Sequence, residues 1–156
     1  MLDSNIEDLT KKIITEFSKT IEMFGLTTLE ARLFVYLYLE ERPLTLDEMS
    51  EAMGKSKTSM STSIRSLSDF NLVTRVWKKG VRKDLYEANE QIYKTIMNSF
   101  SGKWIDAANH QKDSLYDIRK QFKNENITSP TLNNRLNNII EFHQHLEKAM
   151  REIKQD

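Results

Sequence analysis

Cysteine is absent from all 156 residues, which excludes disulfides, thiol redox sensing and thiolate metal sites. Glycine occurs four times and proline twice, so little interrupts a helix and a mostly helical chain is expected. No apolar run approaches the roughly twenty residues needed to span a bilayer. Asp3, Glu7 and Asp8 precede Lys11 and Lys12, which is not the charge order of a signal peptide. The expectation is a cytoplasmic protein that makes no membrane contact. An excess of one charge is missing too, with 23 basic and 23 acidic residues, so global charge does not point to nucleic acid. His110, His143 and His145 are the three histidines; the last two are two positions apart, on different faces of a helix, and none fits a zinc-binding pattern. There is no glycine-rich phosphate loop, no nucleophile elbow and no carboxylate pair in an apolar setting. Glu40–Glu41 and Glu48 with Glu51 read as solvated helix faces. Neither an enzyme nor a bound cofactor is expected. Hydrophobic residues make up 38%, a low share that suits one domain, or a small domain with an oligomerisation arm, completing its core by pairing.

What is present begins at Thr45. This residue suits a helix N-cap, Glu48 stands where its capping-box partner belongs, and Leu46, Met49 and Met53 recur at helical spacing. Gly54 supplies a turn and Ser56 caps the next helix. In that helix Met60, Ile64 and Leu67 share one side, while Thr58, Ser61, Thr62 and Arg65 share the other. The pattern is a helix-turn-helix. An ordinary solvated face favours Glu and Lys, whereas this run of Ser and Thr lowers helix propensity, so a demand other than folding is implied. Short hydroxyls approach phosphates and base edges closely, and Arg65 can donate two hydrogen bonds to a guanine. The candidate DNA-reading residues here are Ser56, Lys57, Thr58, Ser59, Ser61, Thr62 and Arg65. A polar helix face without a partner is the competing reading.

The next segment supports DNA independently. Val73, Arg75 and Trp77 alternate with Thr74, Val76 and Lys78, the period of a strand, and Gly80 falls where a hairpin tip needs positive φ. Residues 82–87 are expected to return as the second strand. A basic hairpin after a helix-turn-helix is a wing, with Lys78, Lys79, Arg82 and Lys83 as its contacts to phosphates or the minor groove. Between Lys55 and Lys83 stand eight basic residues and one acidic residue, Asp69, which leaves the rest of the chain seven charges negative. A basic face on an acidic body orients a protein on DNA and limits indiscriminate binding.

Further helices are expected at residues 3–24, closed by Gly25, at 28–41, with Leu29, Leu33, Tyr36 and Leu37 inward, at 90–123 and at 131–154. The fold class expected is mainly α: a winged helix-turn-helix with a two-stranded β wing and long N- and C-terminal dimerisation helices. Its divisions are residues 1–26, an N-terminal dimerisation helix, 27–88, the DNA-binding domain, and 89–156, a helical dimerisation and effector-binding region. The last two helices carry heptad-like seams, Tyr93 to Phe122 and Leu132 to Ile153, too long to bury against one small domain. A homodimer presenting two recognition helices about 34 Å apart to a two-fold operator answers this; an intrachain helical hairpin is the competing reading.

Three segments, residues 45–49, 56–62 and 76–87 (the last reading Val-Trp-Lys-Lys-Gly-Val-Arg-Lys-Asp-Leu-Tyr-Glu), resemble the glycine-betaine-synthesis-regulator branch of the MarR-like winged-helix repressors. The resemblance covers roughly residues 21–87; beyond that it is one of length and helical character. It implies a homodimeric bacterial repressor of genes for choline uptake or glycine betaine synthesis, relieved by choline. Tyr93, Phe100 and Trp104 form an aromatic stripe, which by itself reads as seam packing. With the resemblance it becomes a candidate cage, led by Trp104, since quaternary ammonium is held by cation–π attraction. Bending near Asn89 would then alter the spacing of the recognition helices. The expected partners are a double-stranded DNA operator, a second copy of the chain and a quaternary ammonium effector. The alternative in another functional class is a winged-helix protein-interaction module that does not read DNA sequence.

Overall fold

The computed structural model describes residues 2–154. Along the chain it contains α1 (Leu2–Glu22), α2 (Thr28–Leu39), α3 (Leu46–Met53), α4 (Lys57–Asp69), β1 (Val73–Val76), β2 (Leu85–Ala88), α5 (Ile92–Asn124) and α6 (Pro130–Ile153). Two compact units result, residues 1–96 and 97–156, with the boundary inside α5.

The core of the first unit is built around α2. Thr27 caps it in a complete capping box with Glu30, and Ala31, Leu33, Phe34, Val35 and Leu37 are buried. One amphipathic stripe, with Leu29 and Tyr36 inward, was the sequence expectation. Both are only half-buried, because α2 is surrounded by α1, α4 and β2 and must be apolar on several sides. Burial of a side chain as large as Phe34 contributes about 1.5–3 kcal/mol. Ile21 and Leu26 join this core, whereas Ile6, Leu9 and Ile13, farther up α1, remain exposed.

Both halves of the helix-turn-helix form for the reasons read from the sequence. Thr45 and Glu48 complete a capping box at the start of α3, and Gly54 closes α3 in the left-handed region at φ 64°. Ser56 accepts a hydrogen bond from the Ser59 amide at the start of α4. Met49, Met60, Ile64 and Leu67 are buried.

α4 stops without glycine. Asn71 takes φ 59°, the Leu72 amide donates to the Leu67 carbonyl at 3.0 Å, and the Asn71 amide donates to Ser68 at 2.9 Å. This is a Schellman termination with Asn in the left-handed position, closed by contact-forming leucines, both buried. Asn126 ends α5 identically at φ 53°, with the Ile127 amide donating to the Phe122 carbonyl at 3.1 Å.

β1 and β2 pair antiparallel, with Val73 opposite Ala88 and Val76 opposite Leu85. Leu44 exchanges two main-chain hydrogen bonds of 2.9 Å with Tyr86, adding a one-residue strand on the other edge of β2. At the entry to α5, Asn89 donates from its amide to the Leu72 carbonyl at 2.8 Å and accepts from the Gln91 amide at 3.0 Å.

In the second unit α5 and α6 form an intrachain hairpin, so the competing reading of these seams describes how one chain uses part of them. Leu136 and Ile140 of α6 are buried with Ile105 and Ala108 of α5. Glu147 accepts from the Lys112 ammonium at 2.8 Å and from Arg151 at 2.9 Å, and Gln144 donates to the Tyr116 hydroxyl at 2.9 Å. Pairing still leaves Ile118, Leu132, Ile139 and Phe142 exposed.

Candidate nucleic-acid interface

α4 turns its apolar side to α2 and α3 and leaves Lys57, Thr58, Thr62 and Arg65 in solvent. Ser59 and Ser61 are half-buried at the margins of that face, and Ser63, absent from the sequence expectation, is buried. Part of the hydroxyl set already has work within the helix. Ser56 donates to the Ser59 hydroxyl at 3.0 Å while accepting from its amide, and Thr62 donates back to the Thr58 carbonyl at 3.1 Å. Their remaining lone pairs can accept from a ligand, and Lys57, Thr58, Thr62 and Arg65 are the exposed side chains of this face.

The wing is longer and looser than period two suggests. Strand pairing ends at Val76 and resumes at Leu85, so Trp77, Arg82 and Lys83 belong to an eight-residue tip, residues 77–84, rather than to the strands. Within it the Val81 amide donates to the Lys78 carbonyl at 3.1 Å, closing a turn whose third residue, Gly80, has φ 84°. Lys78, Lys79 and Arg82 are exposed around this turn, and Trp77 stands 81% exposed beside them. The alternating sequence did not distinguish a strand residue from one at the mouth of a loop. Asp84 pairs with Arg75 and closes the wing across its base.

Asp47, the second residue of α3, ties these parts together. Its carboxylate lies 3.3 Å from the Lys57 ammonium at the start of α4 and 2.8 Å from the Lys83 ammonium in the wing. Hydrogen bonds from Lys83 and then Lys57 hold the Asp47 carboxyl below the usual aspartate range, and Asp47 in turn raises Lys83. Glu48 is lowered by the Arg42 guanidinium and by the Thr45 amide it accepts from. The sequence reading passed over Asp47, although a carboxylate just upstream of a basic face was a visible signal. Arrayed in one unit, the exposed face of α4 and the cationic wing offer donors and positive charge suited to a polyanion with readable edges.

The three candidate effector residues fall in two units, Tyr93 in the first and Phe100 and Trp104 in the second. Phe100 and Trp104 stack tilted, with ring centroids 5.4 Å apart and Trp104 44% exposed. Tyr93 lies in the first unit and is 67% exposed. A cation–π pair the sequence did not single out places the Arg119 guanidinium 4.9 Å from the Tyr116 ring centroid. Among the described residues no group of His, Cys, Asp and Glu could hold a metal ion, and no helix is long and apolar enough to cross a membrane.

Residues 21–97 match the family model described as "Sugar-specific transcriptional regulator TrmB". The chain is 35% identical over 107 residues to the HTH-type transcriptional repressor OpcR of Bacillus subtilis (strain 168), covering 69% of this chain and 58% of that protein. To the HTH-type transcriptional repressor GbsR of the same organism it is 33% identical over 99 residues, covering 64% of this chain and 54% of the relative. The chain therefore spans little more than half the length of these relatives, which are transcriptional repressors and not enzymes. A crystal structure of a transcriptional regulator superposes with a TM-score of 0.68 at 17% identity, covering 92% of this chain and 93% of that one, and supports the fold. The winged-helix fold and the relationship to GbsR both accord with the sequence reading.

Proposed function

We propose, from the premise that residues 21–97 are a TrmB-family transcriptional-regulator domain, that this chain is a cytoplasmic, dimeric repressor that reads a double-stranded DNA operator. The observation that carries this reading is the exposure, in one unit, of Thr58, Thr62 and Arg65 on α4 together with Lys78, Lys79 and Arg82 on the wing. α4 lies in the major groove with Arg65 on a base edge, and the wing lies along the phosphates or in the adjacent minor groove. Dimerisation is supported by apolar side chains that one chain leaves in water, Ile6, Leu9 and Ile13 on α1 and Leu132, Ile139 and Phe142 on α6. The test is a titration of operator DNA, recovered by selection from random duplexes, against a scrambled duplex. Marked preference for the selected site supports the reading, and equal affinity for both rejects it.

The effector in this reading is a quaternary ammonium, choline first, relieving repression of genes for choline uptake or glycine betaine synthesis. Its support is the relationship to GbsR and the tilted Phe100–Trp104 pair, two faces of an aromatic site for a cation that cannot donate a hydrogen bond. Choline must then bind more tightly to the dimer that does not fit the operator. Calorimetry of the purified protein is expected to show choline binding that Trp104→Ala abolishes while operator binding persists. Heats equal to dilution for choline and glycine betaine alike would remove the effector from the reading.

One observation favours the alternative, a winged-helix module for protein contacts: Trp77 is the kind of exposed aromatic on which such interfaces centre. That module predicts no preference for any duplex and is separated from the repressor by the same titration.

A further inference from the structure

We propose that Asp47 is a built-in counterion that restrains DNA binding, a carboxylate occupying the place a DNA phosphate would take between Lys57 of the recognition helix and Lys83 of the wing. The inference rests on the DNA-reading function proposed above and deepens it by assigning a residue that sets how tightly any DNA backbone is held.

The geometry sets this acid apart from other surface acids. Asp47 reaches two cations on two different DNA-facing elements, with one oxygen 3.3 Å from Lys57 and the other 2.8 Å from Lys83, which is 36 positions away in sequence. Both lysines are among those expected to meet phosphates. Beneath them lies an open groove of about 240 Å³ between the start of α3 and the wing, which Arg82 also lines. All three charged side chains are substantially exposed, so the attraction within the cluster is weak and screened, and arriving phosphates can displace it.

A carboxylate in that position acts in two ways. It neutralises cations that would otherwise attract any polyanion, and it stays in the interface as a negative charge that every bound backbone must tolerate. Both effects lower affinity for all sequences alike. The base contacts of the α4 face, Arg65 above all, are untouched, so the ratio of specific to non-specific binding stays as it is, while a duplex that lacks those contacts is held too weakly to be occupied for long. The lowered carboxyl of Asp47 agrees with its staying charged throughout the physiological range.

The test compares Asp47→Asn with Asp84→Asn, which removes the same charge from the wing base but frees Arg75 instead of the two lysines. Each variant of this chain, checked for unchanged helicity, is titrated with a scrambled duplex and with the selected operator across a salt series. Asp47→Asn is expected to bind the scrambled duplex about 3–10-fold more tightly and to steepen the log–log salt dependence by about 1–2, as one or two further phosphate contacts would. The selected operator should gain by a similar factor, leaving discrimination unchanged within about twofold, and Asp84→Asn should change affinity less than twofold. Unchanged or weaker binding of the scrambled duplex by Asp47→Asn overturns the proposal. Equal gains in both variants overturn it too, since they would report bulk charge alone. If the unaltered protein binds neither duplex at low salt, the DNA-reading function itself falls, and this inference with it.

Discussion

Arg65 stands in solvent on the third turn of α4, clear of the apolar side that packs into the core, and its long side chain gives that helix its reach. Lys79, at the wing turn, is equally exposed but can offer only a point charge. Their substitutions should therefore separate. Arg65→Ala is expected to cost about 1–3 kcal/mol in operator binding and to relax sequence preference, whereas Lys79→Ala weakens all duplexes alike and lowers the salt slope by about 1. Competition binding across a panel of single-base operator variants checks both. At this scale the sequence was legible wherever a residue's role follows from its neighbours in the chain. Thr45, Glu48, Gly54 and Ser56 occupy the capping and turn positions that their spacing implies. It was only half legible where the role depends on a partner far along the chain: a carboxylate just ahead of the basic face hints at Asp47, but its meeting with Lys83 across 36 residues is set by the tertiary fold.

Among the elements, the helices were readable almost to their ends because a scarcity of glycine and proline leaves long periodic runs intact. Their stops were less so, since two of them rely on asparagine where glycine is the usual signal. Asn71→Gly should leave the stability of the first unit unchanged or slightly higher, while Asn71→Ala, placing an ordinary Cβ in the left-handed region, should cost about 1 kcal/mol in chemical denaturation. The wing was misread by period because alternation continues past Val76, where pairing has ceased and Trp77 has left the sheet. In the α5–α6 hairpin, the lowered carboxyl of Glu147 has a pH signature. Hydrogen bonds from Lys112 and then Arg151 favour its charged form, so its contribution to stability is complete above the ordinary glutamate value and is lost as pH falls through the lower folded value. Glu147→Gln should lower the melting temperature at neutral pH and flatten its decline as pH falls below the ordinary glutamate value. An unchanged decline in that variant would mean other carboxylates carry it.

For the molecule as a whole, the neutral chain conceals its division of charge, since the basic stretch from Lys55 to Lys83 is balanced by acid elsewhere. The sequence seams of the last two helices were divided by folding between an intrachain hairpin and a residue of exposed apolar surface, a partition that periodicity cannot make. The dimer proposed from that surface predicts that Ile139→Asp shifts sedimentation equilibrium towards monomer without loss of helicity and weakens operator binding more than scrambled-duplex binding. The claim that the face of α4 and the wing read DNA sequence is decided by titrating the protein with selected and scrambled duplexes at about 0.15 M salt. The claim predicts tighter binding of the selected site by about 10³-fold or more, and affinities equal within error would contradict it.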